Sequence, residues 1–185
     1  MRREYIITII VILSVIYYVS GYRLTPLAAA HSNDKELKSA KLIDVFEDPN
    51  GKYYLFQNNK KEEYRTVRVA RRLFGYTSNA STWVATSQDK VQTIGGMSFK
   101  DDKWQGTLFI VKNDDTDVDS IQIETDNEIV QKKVTQGDIV HFQLPYAKQI
   151  DHLNAKALND KGEEIYYYGY ESSYELNEIK WRPVR

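Results

Sequence analysis

The sequence predicts an all-β fold, an antiparallel β-sandwich (Ig-like or related), preceded by one N-terminal transmembrane helix. Three observations carry this expectation. From Leu42 onward, short runs rich in β-branched and aromatic residues recur, separated by clusters of Pro, Asn, Asp and Gly. The single convincing helical signal is an uncharged apolar run near the N-terminus, and no βαβ rhythm or solenoid period occurs. The chain has no cysteine, so an exported domain must hold together by its hydrophobic core.

Residues 1–4 read as a cytoplasmic tip and 5–22 as the transmembrane segment. Tyr5–Tyr22 carries no charge, and a helix of that length spans about 27 Å against a hydrocarbon core of about 30 Å. Tyr5 at one end and Tyr17, Tyr18 and Tyr22 near the other suit the headgroup level. Arg2 and Arg3 hold the N-terminus inside, which puts the rest of the chain outside as a cell-membrane, single-pass protein. Residues 23–41 read as a juxtamembrane helix and tether. Thr25-Pro26 is an N-cap followed by Pro at the first helical position, and His31–Lys41 is polar. The competing reading is secretion after cleavage near Ala30, because Ala28-Ala29-Ala30 offers a small-residue site. The length of the apolar run and Arg23 favour the retained anchor. Without cysteine there is no lipid attachment site of the lipoprotein kind.

Residues 42–185 read as one extracytoplasmic β domain. Lys41–Glu47 and Lys52–Gln57 flank Asp48-Pro49-Asn50-Gly51, where Pro fixes φ and Asn-Gly supplies positive φ. Glu63–Arg71 alternates as a third strand. Leu73–Tyr76 and Thr82–Ser87 are weaker strands. Lys90–Phe99 and Trp104–Lys112 flank a charged turn. Val118–Glu124, Glu128–Thr135 and Asp138–Leu144 follow in order. Leu153–Leu158 and Glu164–Tyr170 flank Asn159-Asp160-Lys161-Gly162, and Glu175–Trp181 ends the series. Alternation puts Leu42, Val45, Phe56, Val67, Trp83, Leu108, Ile121, Ile123, Phe142, Ile165 and Trp181 in the core.

Candidate site residues are few. Asp115, Asp117 and Asp119 have the alternate spacing with which calcium loops present carboxylates, but the turn Gly and the bidentate Glu are missing. The plainer account is a solvated turn with all three acids on one side. Arg65, Arg68, Arg71 and Arg72 lie in one strand and its exit, where guanidiniums can grip phosphate or carboxylate. A charged edge strand needs no ligand. Tyr166, Tyr168 and Tyr170 belong to a tyrosine concentration that suits stacking on sugar rings or a protein partner, and equally suits strand packing. His141 sits in a strand pattern, and the histidines show no metal spacing. No nucleophile-elbow, zincin or phosphate-loop motif occurs, so no catalytic residue and no cofactor are assigned. With the N-terminal run and its flanking charges set aside, 22 basic face 25 acidic side chains, which argues against nucleic acid.

The stretch Ser20–Ala30 resembles a group of small single-span membrane proteins of Gram-positive bacteria. So do Leu153–Ala157, Asp160–Gly162, Tyr167–Tyr170 and Lys180-Trp181. The resemblance implies a retained N-terminal span and one β-rich outer domain, and it brings no catalytic or binding residues with it. The expected function is a non-enzymatic, membrane-anchored interaction module of the cell envelope, held by residues 5–22 and binding an envelope protein or wall polymer. The alternatives are a hydrolytic or metal-assisted enzyme using Asp/Glu and His141, and a calcium-stabilised adhesion-like domain.

Overall fold

A computed structural model describes residues 2–49, 51–100, 104–126, 128–170 and 179–184. Among the described residues, two α-helices, α1 (Arg2–Val19) and α2 (Pro26–His31), precede twelve strands. The sheets are antiparallel, as the recurring β runs predict. The region read as one β domain over 42–185 is divided by its packing. The chain forms two compact units, Met1–Thr82 and Trp83–Arg185.

In the first unit, β1 (Lys41–Asp48), β2 (Gly51–Asn58), β3 (Glu63–Arg72) and β4 (Gly75–Ala85) form a four-stranded meander; β4 runs on past Thr82. The Asp48–Gly51 turn joins β1 to β2 where the sequence places it. Tyr54, Phe56, Val67 and Val69 share one face, and Ala29, Ala30 and Leu37 pack on them. The small alanines let α2 lie close to the sheet. Thr25 caps α2, its Oγ1 accepting from the Ala28 amide at 3.2 Å, with Pro26 at the first position.

The segment read as a tether is folded. Asp34 caps a 3-10 turn over Lys35–Lys38, which drives Leu37 into the core. Arg65 of β3 clamps that turn: one nitrogen donates to Asp34 Oδ2 and another to Glu63 Oε1, both at 2.9 Å.

The predicted span over 5–22 is helical only to Val19. Ser20-Gly21 turns the chain with Gly21 at φ +78°, and the Arg23 backbone pairs with Tyr76 of β4. Arg2, Arg3 and Glu4 occupy the first turn, so the uncharged helical part starts at Tyr5. It rises about 22 Å. Among the described residues no helix is long and apolar enough to cross a membrane.

In the second unit, two sheets face one another across a shared core. One has the order β5 (Val91–Lys100), β6 (Gln105–Asn113), β9 (Ile139–Leu144). The other runs β12 (Lys180–Pro183), β11 (Glu164–Gly169), β10 (Lys156–Leu158), β7 (Ser120–Glu124), β8 (Ile129–Lys133). Phe109, Val111, Val140 and Phe142 from the first meet Ile121, Ile123, Ala157 and Trp181 from the second. Burying this apolar surface at about 25 cal/mol per Å² supplies the stability that no disulfide contributes.

Three sequence expectations change here. Leu73-Phe74 is the two-residue turn between β3 and β4, and the two weak strands are one strand, Gly75–Ala85. Trp83, placed in the core by alternation, is 65% exposed. Leu42 lies in the edge strand β1 next to a register shift and is partly exposed.

Candidate functional site

The candidate residues do not converge on one site. Asp115, Asp117 and Asp119 precede β7 and lie in turns, where strand alternation does not govern their faces. Asn113 starts the turn: its Oδ1 accepts from the Asp115 amide at 3.1 Å, and Asp115 Oδ1 accepts from the Asp117 amide at 3.1 Å. This turns the Asp115 side chain inward, where it is 2% exposed. Tyr166 Oη donates to Asp115 Oδ2 at 2.7 Å, and Lys90 Nζ lies 3.3 Å from the same oxygen. Burial pushes the Asp115 carboxyl up, but the Tyr166 hydroxyl, the Asp117 amide and the Lys90 ammonium outweigh it and hold it below its ordinary value. The same pair pushes Tyr166 up to about 12, by burial and by the carboxylate it faces. Asp117 is exposed, and Asp119 faces Lys133 Nζ at 3.8 Å. Among the described residues no three His, Asp or Glu side chains are grouped to hold a metal ion.

The tyrosines divide between core and surface. Tyr166 and Tyr168 point to the core side of β11. Tyr168 packs on Phe109 and Trp181 with ring centroids 5.4 and 5.5 Å apart. Tyr170 is exposed just past the strand. The arginines separate in the same way. Arg65 is engaged with Asp34 and Glu63, Arg68 is buried opposite Tyr53 in the register, and Arg71 and Arg72 are exposed. They form no common anion cradle. His141 pairs with Ile110 in the β6–β9 register, on the face of β9 opposite Val140 and Phe142.

What the second unit does assemble is a surface groove of about 740 Å³. Asp117 and Asp119 line it with Thr116, Thr135, Gln136 and Asp160, over a floor that includes Val118, Val134 and Ile165. Backbone pairing builds it. The Asp119 amide donates to Leu158 O, and the Val134 amide donates to Asp119 O, both at 2.9 Å. These bonds bring the turn before β7, the end of β8 and the β10–β11 turn to one rim. Carboxylates, amides and hydroxyls around an apolar floor can engage a polyol or a cationic peptide. A smaller cleft of about 290 Å³ is lined by Ser87, Asp89, Thr93, Lys180, Tyr168 and Trp181. Trp181 Nε1 donates to Thr93 Oγ1 at 3.1 Å and fixes its inner wall.

Two of the predicted acids thus line the larger groove, and one predicted tyrosine lines the smaller cleft. Gln136, Asp160 and Thr116 had no sequence signal, because four separate segments meet only through long-range pairing. No protein-family model, curated protein or solved structure matches the chain.

Proposed function

We propose that the chain is a non-enzymatic, membrane-anchored module of the bacterial cell envelope that binds a protein or wall polymer through its second unit. The anchor is the N-terminal segment, with the N-terminus cytoplasmic and the β units outside. One observation carries the reading. The large apolar side chains of α1 from Ile6 to Leu13 are more than half exposed on every face of the helix. A helix apolar all round has its solvent in lipid, since in water it has neither a packing face nor a polar one. Its helical length falls short of the bilayer core, a mismatch that local thinning of the bilayer accommodates.

The Ig-like or related display domain expected over all of 42–185 is assigned in this reading to the sandwich-like second unit alone, and its groove is the binding face. The test is photo-crosslinking of the full chain in its native envelope from Thr116→Cys, with Gln143→Cys, exposed on β9 of the opposite sheet and outside the groove lining, as control. The expected result is a discrete adduct at Thr116 from carbonate-resistant membranes. Release of the chain by carbonate overturns the anchor. Equal labelling from both positions overturns the groove. Turnover of a hydrolytic substrate by the purified chain replaces the module with an enzyme.

A further inference from the structure

The β3–β4 hairpin tip breaks its own turn chemistry. Two-residue hairpin turns favour Asn-Gly or Gly-containing pairs. Here the two residues are Leu73, 87% exposed, and Phe74, 67% exposed. Neither takes positive φ; that conformation falls to Gly75 at φ +139°. Two large apolar side chains stand at the apex of this turn, and both remain largely open to solvent.

The tip is held beside the end of α1. Arg23 and Tyr76 exchange backbone hydrogen bonds of 2.9 and 2.8 Å. Tyr22 meets Phe74 edge-on at 6.2 Å, and Tyr17 stacks on Tyr22 at 6.1 Å. A Cβ on Gly75 would stand 2.6 Å from the Arg23 carbonyl oxygen, so the hairpin approaches the helix exit as closely as glycine permits. Val19, 77% exposed, and Leu24, 81% exposed, flank this junction in sequence at the exit of the helix. The exposed apolar surface of α1 therefore continues across Tyr22 onto the hairpin.

The hairpin's own exposed charge is positive, while Glu47 and Asp48 of the β1–β2 turn lie at the same end of the sheet, Glu47 paired with Lys52. Arg71 and Arg72 are exposed at the base of the tip. No acidic residue lies between Glu63 and Asp89. Apolar apex, aromatic neighbour and exposed guanidiniums in that order match the layers of a bilayer surface: acyl boundary, headgroup level and phosphate.

We infer that the β3–β4 tip is a second membrane contact, in which Leu73 and Phe74 enter the lipid interface and Arg71 and Arg72 engage lipid phosphates. The first unit then rests on the bilayer instead of standing off it. The inference depends on the anchoring proposed above, and the test separates the two. The chain has no cysteine, so Leu73→Cys or Phe74→Cys carries a unique environment-sensitive fluorophore. The full chain is reconstituted in vesicles of phosphatidylcholine and phosphatidylglycerol in equal parts, with Lys161→Cys as control. Flotation reports anchoring. The expected result is flotation of all variants. Labels at 73 and 74 should shift to the blue, lose quenching by iodide and gain quenching by a shallow lipid-borne quencher. The label at 161 should remain open to iodide. Arg71→Ala with Arg72→Ala should return the tip label towards the iodide-accessible signal without loss of flotation. Flotation with an iodide-accessible tip overturns the inference alone. Failure to float overturns the anchor and the inference with it. A tip shielded from iodide yet untouched by the lipid quencher identifies a second copy of the chain as the occupant and overturns the lipid contact.

Discussion

Leu37→Ala probes whether the polar stretch after α2 belongs to the fold. Leu37 is 1% exposed and packs with Ala29, Ala30, Phe56 and Val67. Its removal deletes the only apolar side chain of the 3-10 turn and leaves a void under a helix whose alanines cannot fill it. Buried Leu→Ala changes cost about 2–5 kcal/mol, and a site with small, fixed neighbours sits near the middle, at ~3 kcal/mol. For a unit of 82 residues this corresponds to a melting shift of roughly 12–24 °C. The assay is amide hydrogen exchange of the full chain, read on peptides from β2 and β3. Where exchange there requires opening of the unit, protection should fall about a hundredfold. Leu27→Ala, on the partly exposed side of α2, is the control and should cost under about 1 kcal/mol. Equal, small losses for both variants would refute the packing of this segment.

Tyr166→Phe removes a hydrogen bond to a buried carboxylate and should cost about 1.5–3 kcal/mol near neutral pH by denaturant titration. Asp115 is held below its ordinary 3.8, so its contribution is present above that value and is lost as pH falls through the lower folded value. Tyr166 is raised from 10.0 to about 12, so its contribution is present below pH 10 and is lost as pH rises through about 12. The wild-type advantage should therefore shrink at both extremes, and a pH-independent difference would contradict the pairing. Gly75→Ala should destabilise the first unit by about 1–3 kcal/mol, because the added Cβ meets the Arg23 carbonyl at a φ unfavourable for alanine. Faster exchange at Tyr22–Tyr76 peptides checks it, and unchanged exchange refutes it. Calcium should leave the melting temperature where a chelator leaves it, since Asp115 turns inward while Asp117 faces solvent; a saturable rise would restore the calcium site.

Turn chemistry was the readable part of this chain. Asp48-Pro49-Asn50-Gly51 and Asn159-Asp160-Lys161-Gly162 mark their hairpins because proline and glycine act locally. Leu73-Phe74 misleads for the same local reason: an apolar pair after an alternating run reads as more strand, and only the tertiary placement shows a turn. The tether reading missed one residue, because the nine polar side chains of His31–Lys41 hide the buried Leu37. The common solvent face expected of Asp115, Asp117 and Asp119 assumed a strand that begins only at Ser120. The division after Thr82 has no linker signal, because β4 runs through it.

The alanines of α2 set an order of events during biogenesis. Ala29 and Ala30 are fully buried and helical, and the bond after Ala30 lies within the last turn of α2. A peptidase that needs an extended, accessible substrate can reach that bond only before the four-stranded sheet closes over it. For any peptidase acting after Ala30, cutting and completion of the first unit would be competing first-passage events. A variant that slows β2–β3 closure would then lengthen the window for cutting without touching the residues around that bond.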